Sequence, residues 1–204
     1  MKKLLLLIIA LVFAFNLKAQ VKEDKLRNDS IYSITNSITY DSLHSKVIEN
    51  LKKLEGLRLK PYNGSGGKTI GYGHQIDKNF TKRVITTEQA DSILRNDLQK
   101  SIDLVIAETG FNVNNNPEKL LALASFAFNI GGELFLSSTL LLCVKKKKSL
   151  KEIKAQFERW VHSKITTKTK NPDGTIKITR MKVINANLKR MRKFEYELFS
   201  GTLK

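Results

Sequence analysis

The eleven residues from Leu120 to Ile130 are apolar on nearly every side of a helix, interrupted only by Ser125 and Asn129. A helix with no polar face cannot lie on a surface, so the rest of the chain must be laid around it. Pro117 suits a first helical turn, and Gly131-Gly132 ends the run. A hydrophobic content of 41%, with only three prolines and 11 glycines in 204 residues, supplies the apolar matter for one such core and is not the composition of a disordered basic tail.

The surrounding segments read as further helices with two extended regions. Leu43, Val47, Leu51 and Leu54 form one helical face, started by Asp41 or Ser42 and closed near Glu55-Gly56. Thr86 and Gln89 have capping-box spacing ahead of a helix through about Ala107. Shorter helices are expected near Ser137 to Val144 and Ser149 to His162, and a last one from about Asn185 to Phe199. Between the first two helices, Leu57 to Tyr62 and Thr69 to Ile76 flank Asn63-Gly64-Ser65-Gly66-Gly67, which predicts a hairpin. A second, exposed hairpin is expected over 164–180, around Asn171-Pro172-Asp173-Gly174. The fold class is α+β, mostly α.

The N-terminus has the layout of an export signal: Lys2 and Lys3, then twelve apolar residues from Leu4 to Phe15, then a small residue, Ala19, at the expected cut. The run is short of the roughly 20 residues that span a bilayer, so a stable membrane anchor is not expected. Residues 20–40, polar and without a sustained period, read as a linker or loosely docked arm, leaving 41–204 as the folded unit. Against 19 Asp+Glu stand 36 Lys+Arg, a formal charge of +17, and cleavage would remove Lys2, Lys3 and Lys18. Such an excess implies an anionic partner. Export to the periplasm or outside makes nucleic acid an unexpected one. The single Cys143 and the scattered His44, His74 and His162 give no ligand set, so neither a metal nor another cofactor is expected.

The chemistry centres on Glu55. A carboxyl at a helix end, followed by a glycine-rich hairpin bearing hydroxyls, stands where a cleft edge meets solvent, although such a Glu is more often a solvated surface residue. The segment Glu55-Gly56-Leu57-Arg58-Leu59-Lys60-Pro61-Tyr62, followed by Thr69-Ile70-Gly71-Tyr72-Gly73-His74, resembles the catalytic segment of the phage-type lysozymes, glycoside hydrolase family 24. Phe126 to Gly131, Ser138 to Leu141, Phe157 to Trp160 and Asn187 to Glu195 follow in that family's order, so the resemblance covers roughly 45–199. It implies a lysozyme-like fold, with a small β-hairpin lobe and a larger helical lobe. It also implies a muramidase that cuts the β-1,4 bond between N-acetylmuramic acid and N-acetylglucosamine in peptidoglycan glycan strands.

By that resemblance Glu55 matches the general acid and Thr69 the residue that places the water. The family's Asp has no match: its spacing lands on Asn63 counted back from Thr69, and on Gly64 counted forward from Glu55. Asn63 is the candidate replacement, and Asp77 the nearest acid beyond Thr69. Since an amide cannot act as a base, a wall-binding pseudo-lysozyme stands as the alternative, with a cationic antibacterial protein as a weaker third. The resemblance pairs His74 with Asp97 as a structural ion pair. Asn129 matches a cleft-lining amide that would bind sugar, against a plain helix-capping role. Arg190 and Arg192 are candidates to face the cleft, Arg190 as a substrate contact, against the commoner solvated basic face. Trp160 is expected in the core and Cys143 as an inert thiol. Lys164, Lys168, Lys170, Lys177, Arg180 and Lys182 form a basic insertion over 164–182 that would meet anionic envelope polymers or have no function. A monomer is expected.

Overall fold

The structure, a computed structural model, describes residues 2–64, 67–77, 80, 84–171 and 175–203; the side chains of 1–19, 32, 33, 36, 64, 164, 165, 168 and 170 lie outside the description. Its centre is the helix the sequence marks as having no polar face. This helix runs Pro117–Ile130, with Pro117 in its first turn, and every residue from Leu120 to Ala127 is buried. Three other helices, Lys2–Glu55, Thr87–Thr109 and Ala186–Ser200, pack directly on it. Numbered in chain order, the helices are α1 (Lys2–Glu55), α2 (Thr87–Thr109), α3 (Pro117–Ile130), α4 (Gly132–Leu136), α5 (Thr139–Lys145), α6 (Leu150–Glu158) and α7 (Ala186–Ser200).

The larger lobe closes around Phe126. Its ring meets Phe135, Phe157 and Trp160 edge-on at centroid distances of 6.5, 5.5 and 5.6 Å, the geometry that aromatic quadrupoles favour. Trp160 is therefore packed at the core's edge. Cys143, on α5, is partly buried. α2 starts as the sequence indicates: Thr86 Oγ1 accepts from Gln89 N at 3.2 Å, and Gln89 Oε1 accepts from Thr86 N at 3.1 Å.

The small lobe is an antiparallel sheet of β1 (Arg58–Gly64), β2 (Gly67–Gly71) and β3 (His74–Gln75), in that order. Thr69 pairs with Tyr62 and Asn63 with Lys68, and Ile70 is sealed against the helices. Gly56 lets α1 stop where it does. Its φ of +70° is the left-handed conformation that ends helices cheaply only in glycine, and its N–H donates to Lys52 O at 3.1 Å. The chain thus leaves α1 directly into β1, with Glu55 as the last helical residue.

Three elements differ from the sequence expectation. Residues 20–40, expected as a linker or arm, continue α1 without a break. No glycine or proline occurs before Gly56, so nothing interrupts the helical ladder, and Thr35 and Thr39 donate back to Ile31 O and Thr35 O. This extension is undocked: Val21, Leu26, Ile31, Ile34 and Ile38 are each more than half exposed. Gly131-Gly132 ends α3 but also opens a further short helix, α4. The basic hairpin is longer than expected, with β4 (His162–Lys170) paired to β5 (Ile176–Ile184) in a regular antiparallel register. The expected turn at Pro172-Asp173-Gly174 lies outside the described residues.

Phe126→Ala empties the point where four aromatic rings meet. It should cost about 3–5 kcal/mol and lower Tm by about 10 °C, read by thermal and denaturant unfolding.

Candidate active site

The end of α1, the sheet and the end of α3 enclose an open cleft of about 930 Å³. Glu55, Thr69, Asn129, His74 and Asp97 all line it, residues separated by up to 74 positions in the chain. Asn63, Asp77 and Arg190 are not among its lining residues. Asn63 is exposed on the hairpin arm opposite Lys68, one position out of register with Thr69. Asp77 is exposed beyond β3.

Glu55 is held by a relay of side chains from α3 and α7. Asn129 Nδ2 donates to Glu55 Oε1 at 3.2 Å, and Arg192 Nη2 donates to Asn129 Oδ1 at 2.5 Å. Burial of the carboxyl raises its pKa above the ordinary value, because a desolvated site disfavours the charged form. The negative end of the α1 dipole acts in the same direction. The Asn129 hydrogen bond and the Arg192 charge pull the pKa back down but do not cancel the rise. Glu55 Oε2 lies against Gly73, where a side-chain Cβ would come within 3.4 Å of it. Gly73 also has φ of +89°, so both its backbone and its lack of a side chain serve the close approach of the carboxyl.

Thr69 is buried at the cleft wall, and its Oγ1 donates to Tyr62 O at 3.4 Å. With its proton directed at that carbonyl, the hydroxyl oxygen keeps its lone pairs for a donor in the cleft. His74 Nδ1 lies 2.6 Å from Asp97 Oδ2, and Lys100 Nζ lies 2.9 Å from Asp97 Oδ1. Both oxygens of the one other lining acid, Asp97, are therefore engaged. Among the described residues no group of three His, Cys, Asp or Glu side chains is placed to hold a metal ion.

The residue from α7 that reaches this site is Arg192, not Arg190. Two residues apart on a helix point to roughly opposite sides; Arg190 Nη2 instead donates to Asn187 Oδ1 at 2.5 Å on the exposed face. Arg192 is buried beside Glu195, with Nη1 3.0 Å from Glu195 Oε2 and the guanidinium 4.6 Å above the Phe126 ring. Glu195 was not singled out from the sequence, although a signal exists. It shares a helical face with Met191, Leu198 and Phe199, all buried, and a charged residue in an apolar stripe marks a buried pair.

The sequence matches the phage lysozyme family over residues 52–177. An endolysin from Acyrthosiphon pisum secondary endosymbiont phage 1 is 37% identical over 139 residues, 66% of this chain and 90% of that protein. The endolysin of Salmonella phage P22 is 38% identical over 104 residues, 48% of this chain and 70% of that one. Among solved structures, the muramidase domain of SpmX from Asticaccaulis excentricus superposes with a TM-score of 0.57 at 30% identity, covering 76% of this chain and 94% of that one. The endolysin from Escherichia coli O157:H7 phage FAHEc1 gives 0.57 at 26% identity, with coverage of 78% and 92%.

Asn129→Ala removes the donor at Oε1 and should raise the Glu55 pKa further. Carbon-13 NMR titration of the Glu55 carboxyl reads this directly.

Proposed function

Because this chain belongs to the phage lysozyme family, we propose that it hydrolyses the β-1,4 bond between N-acetylmuramic acid and N-acetylglucosamine in peptidoglycan, with Glu55 as its general acid. One observation carries the assignment of the acid: Glu55 is a half-buried carboxyl with a raised pKa in the wall of the open cleft. A raised pKa favours the protonated form, which departure of a glycosidic oxygen needs.

The geometry gives each oxygen of Glu55 a task. Oε1 is occupied by the Asn129 donor, so the proton sits on Oε2, beside Gly73. Oε2 passes it to the bridging oxygen as the bond to the anomeric carbon breaks. Thr69 Oγ1 accepts from a water and turns its oxygen towards that carbon, since the threonine's own proton is committed to Tyr62 O. The new carbon–oxygen bond forms from this water, and its surplus proton leaves to solvent. Among the lining residues no second carboxylate is free to take that proton or to form a glycosyl–enzyme bond. Water therefore attacks without an enzymic base, and turnover is slower than in a lysozyme with both carboxyls. The named activities of the relatives, endolysin and muramidase, favour the enzyme over a binding-only pseudo-lysozyme.

Residues 1–19 direct export, and the protein works as a monomer in the periplasm or outside the cell. Among the described residues no helix is long and apolar enough to cross a membrane. The β4–β5 ribbon retains the enzyme at anionic envelope polymers. Its strand β5 carries Lys177, Arg180 and Lys182, and a cluster of like charges attracts an anion. Arg180 and Lys182 are exposed.

Digestion of purified peptidoglycan, with reducing ends counted, tests the activity. Wild type should release them and Glu55→Gln should not, while Thr69→Ala should lower kcat by roughly 10²-fold. Absence of release by wild type, with binding to peptidoglycan retained, would establish the pseudo-enzyme instead. For the ribbon, Arg180→Glu with Lys182→Glu should weaken sedimentation with cell-wall sacculi at low salt and leave kcat unchanged. Equal sedimentation of wild type and this variant would remove its retention role.

A further inference from the structure

The most deeply buried charges among the described residues are Arg192 and Glu195, at 1% and 0% exposure. Each has an assigned place. Ser125 Oγ, from α3, donates to Glu195 Oε1 at 2.9 Å, and Arg192 Nη1 lies 3.0 Å from Oε2 as an ion pair without hydrogen-bond alignment. Burial drives the Glu195 pKa up to about 7, with Arg192 and Ser125 opposing the rise. An apolar pair of the same volume would join α3 to α7 without that desolvation cost, so packing alone does not account for the arrangement.

What an apolar pair cannot do is orient an amide. The Asn129 side chain can present either its oxygen or its nitrogen to Glu55. With the oxygen towards Glu55, two acceptors would face each other, or the amide would accept the acid's proton and hold it away from the substrate. Arg192 has donors only, so it takes the oxygen of Asn129 and leaves the nitrogen for Glu55. The direction of Arg192 is in turn fixed by Glu195 on one side and by the Phe126 ring beneath it.

We propose that Glu195 is a positioning residue for the hydrolysis: through Arg192 and the Asn129 amide it keeps a donor on Oε1 of Glu55 and the proton on Oε2, the oxygen that faces the substrate. The chain of contacts runs Ser125, Glu195, Arg192, Asn129, Glu55, across α3, α7 and the end of α1. Two other charges near these elements are paired elsewhere. Lys52 on α1 binds Asp91 at 2.6 Å, and Lys154 on α6 lies 3.9 Å from Glu158. The proposal rests on Glu55 being the acid.

A double-mutant cycle tests it. Asn129→Ala and Glu195→Gln should each lower kcat roughly 10- to 100-fold with little change in KM, because a carboxyl turned out of line loses rate steeply. In the double variant the losses should not multiply: it should be no slower than the slower single variant, since both changes release the same contact. Multiplied losses, or a folded Glu195→Gln with wild-type kcat, would overturn the proposal. If Glu195→Gln does not fold, Ser125→Ala loosens the same carboxyl more gently. Its smaller kcat loss should vanish in the Asn129→Ala background, and persistence there would count equally against the idea. Should wild type cleave no glycan at all, the functional reading fails on its own. The inference is then decided by NMR of the Asn129 side-chain amide in wild type and Glu195→Gln or Ser125→Ala: faster hydrogen exchange in the variant supports it and an unchanged amide refutes it.

Discussion

The enclosure of α3 is the constraint on which the rest of this molecule depends. Eight consecutive buried residues, Leu120 to Ala127, give water no face to touch, so α1, α2 and α7 must each supply an apolar stripe against it. At about 1.5–3 kcal/mol for each large side chain buried, this single helix supplies a substantial part of the driving force for folding. The same enclosure fixes the ends of the helices around it. α1 terminates with Glu55 beside the last turn of α3, where Asn129 projects, and α7 brings Arg192 up from the other side. The acid, the amide and the guanidinium meet because the three helices share one partner.

The sheet completes the cleft by a different device. It contributes no large core of its own; Ile70 and Tyr72 anchor it to the helices, and β1 follows α1 after two residues. That short connection places Thr69 and Gly73 across from Glu55 with little freedom to drift. Glycine at 73 then permits a carboxyl to lie against backbone, where burial can raise its pKa.

Much of this architecture is written in local patterns. The unbroken apolar run of α3, the Thr86 and Gln89 box before α2 and the glycine after Glu55 are signals that act over a few residues, and they survive folding unchanged. Glu55 and Thr69 were legible by the motif they share with the phage-type lysozymes. Other features were not, because they are decided by tertiary contact. A polar stretch such as 20–40 has no apolar period, and its helicity follows from continuity with α1 and the lack of a breaker. Gly131-Gly132 reads as a stop, yet the chain re-enters a helix at once. Arg190 and Arg192 are alike in sequence, and only the rotation of α7 decides which one is buried. Glu195 was hidden because a charge usually belongs outside, so its value lies in being an exception. The motif's Asp has no acidic counterpart between Glu55 and Asp77, and among the described residues Asn63 is exposed while Asp97 is tied to His74 and Lys100.

The central claim is that one half-buried acid drives hydrolysis here without a second carboxylate as base. The dependence of kcat/KM on pH, measured on peptidoglycan across the range in which the protein stays folded, tests this most directly. Glu55 must be protonated to act and its pKa is raised, so activity should be level at low pH and fall with a single proton as pH rises through that value. A bell-shaped profile, with an added acidic limb in the ordinary carboxylate range, would mean that a second carboxylate works as base and would contradict the account.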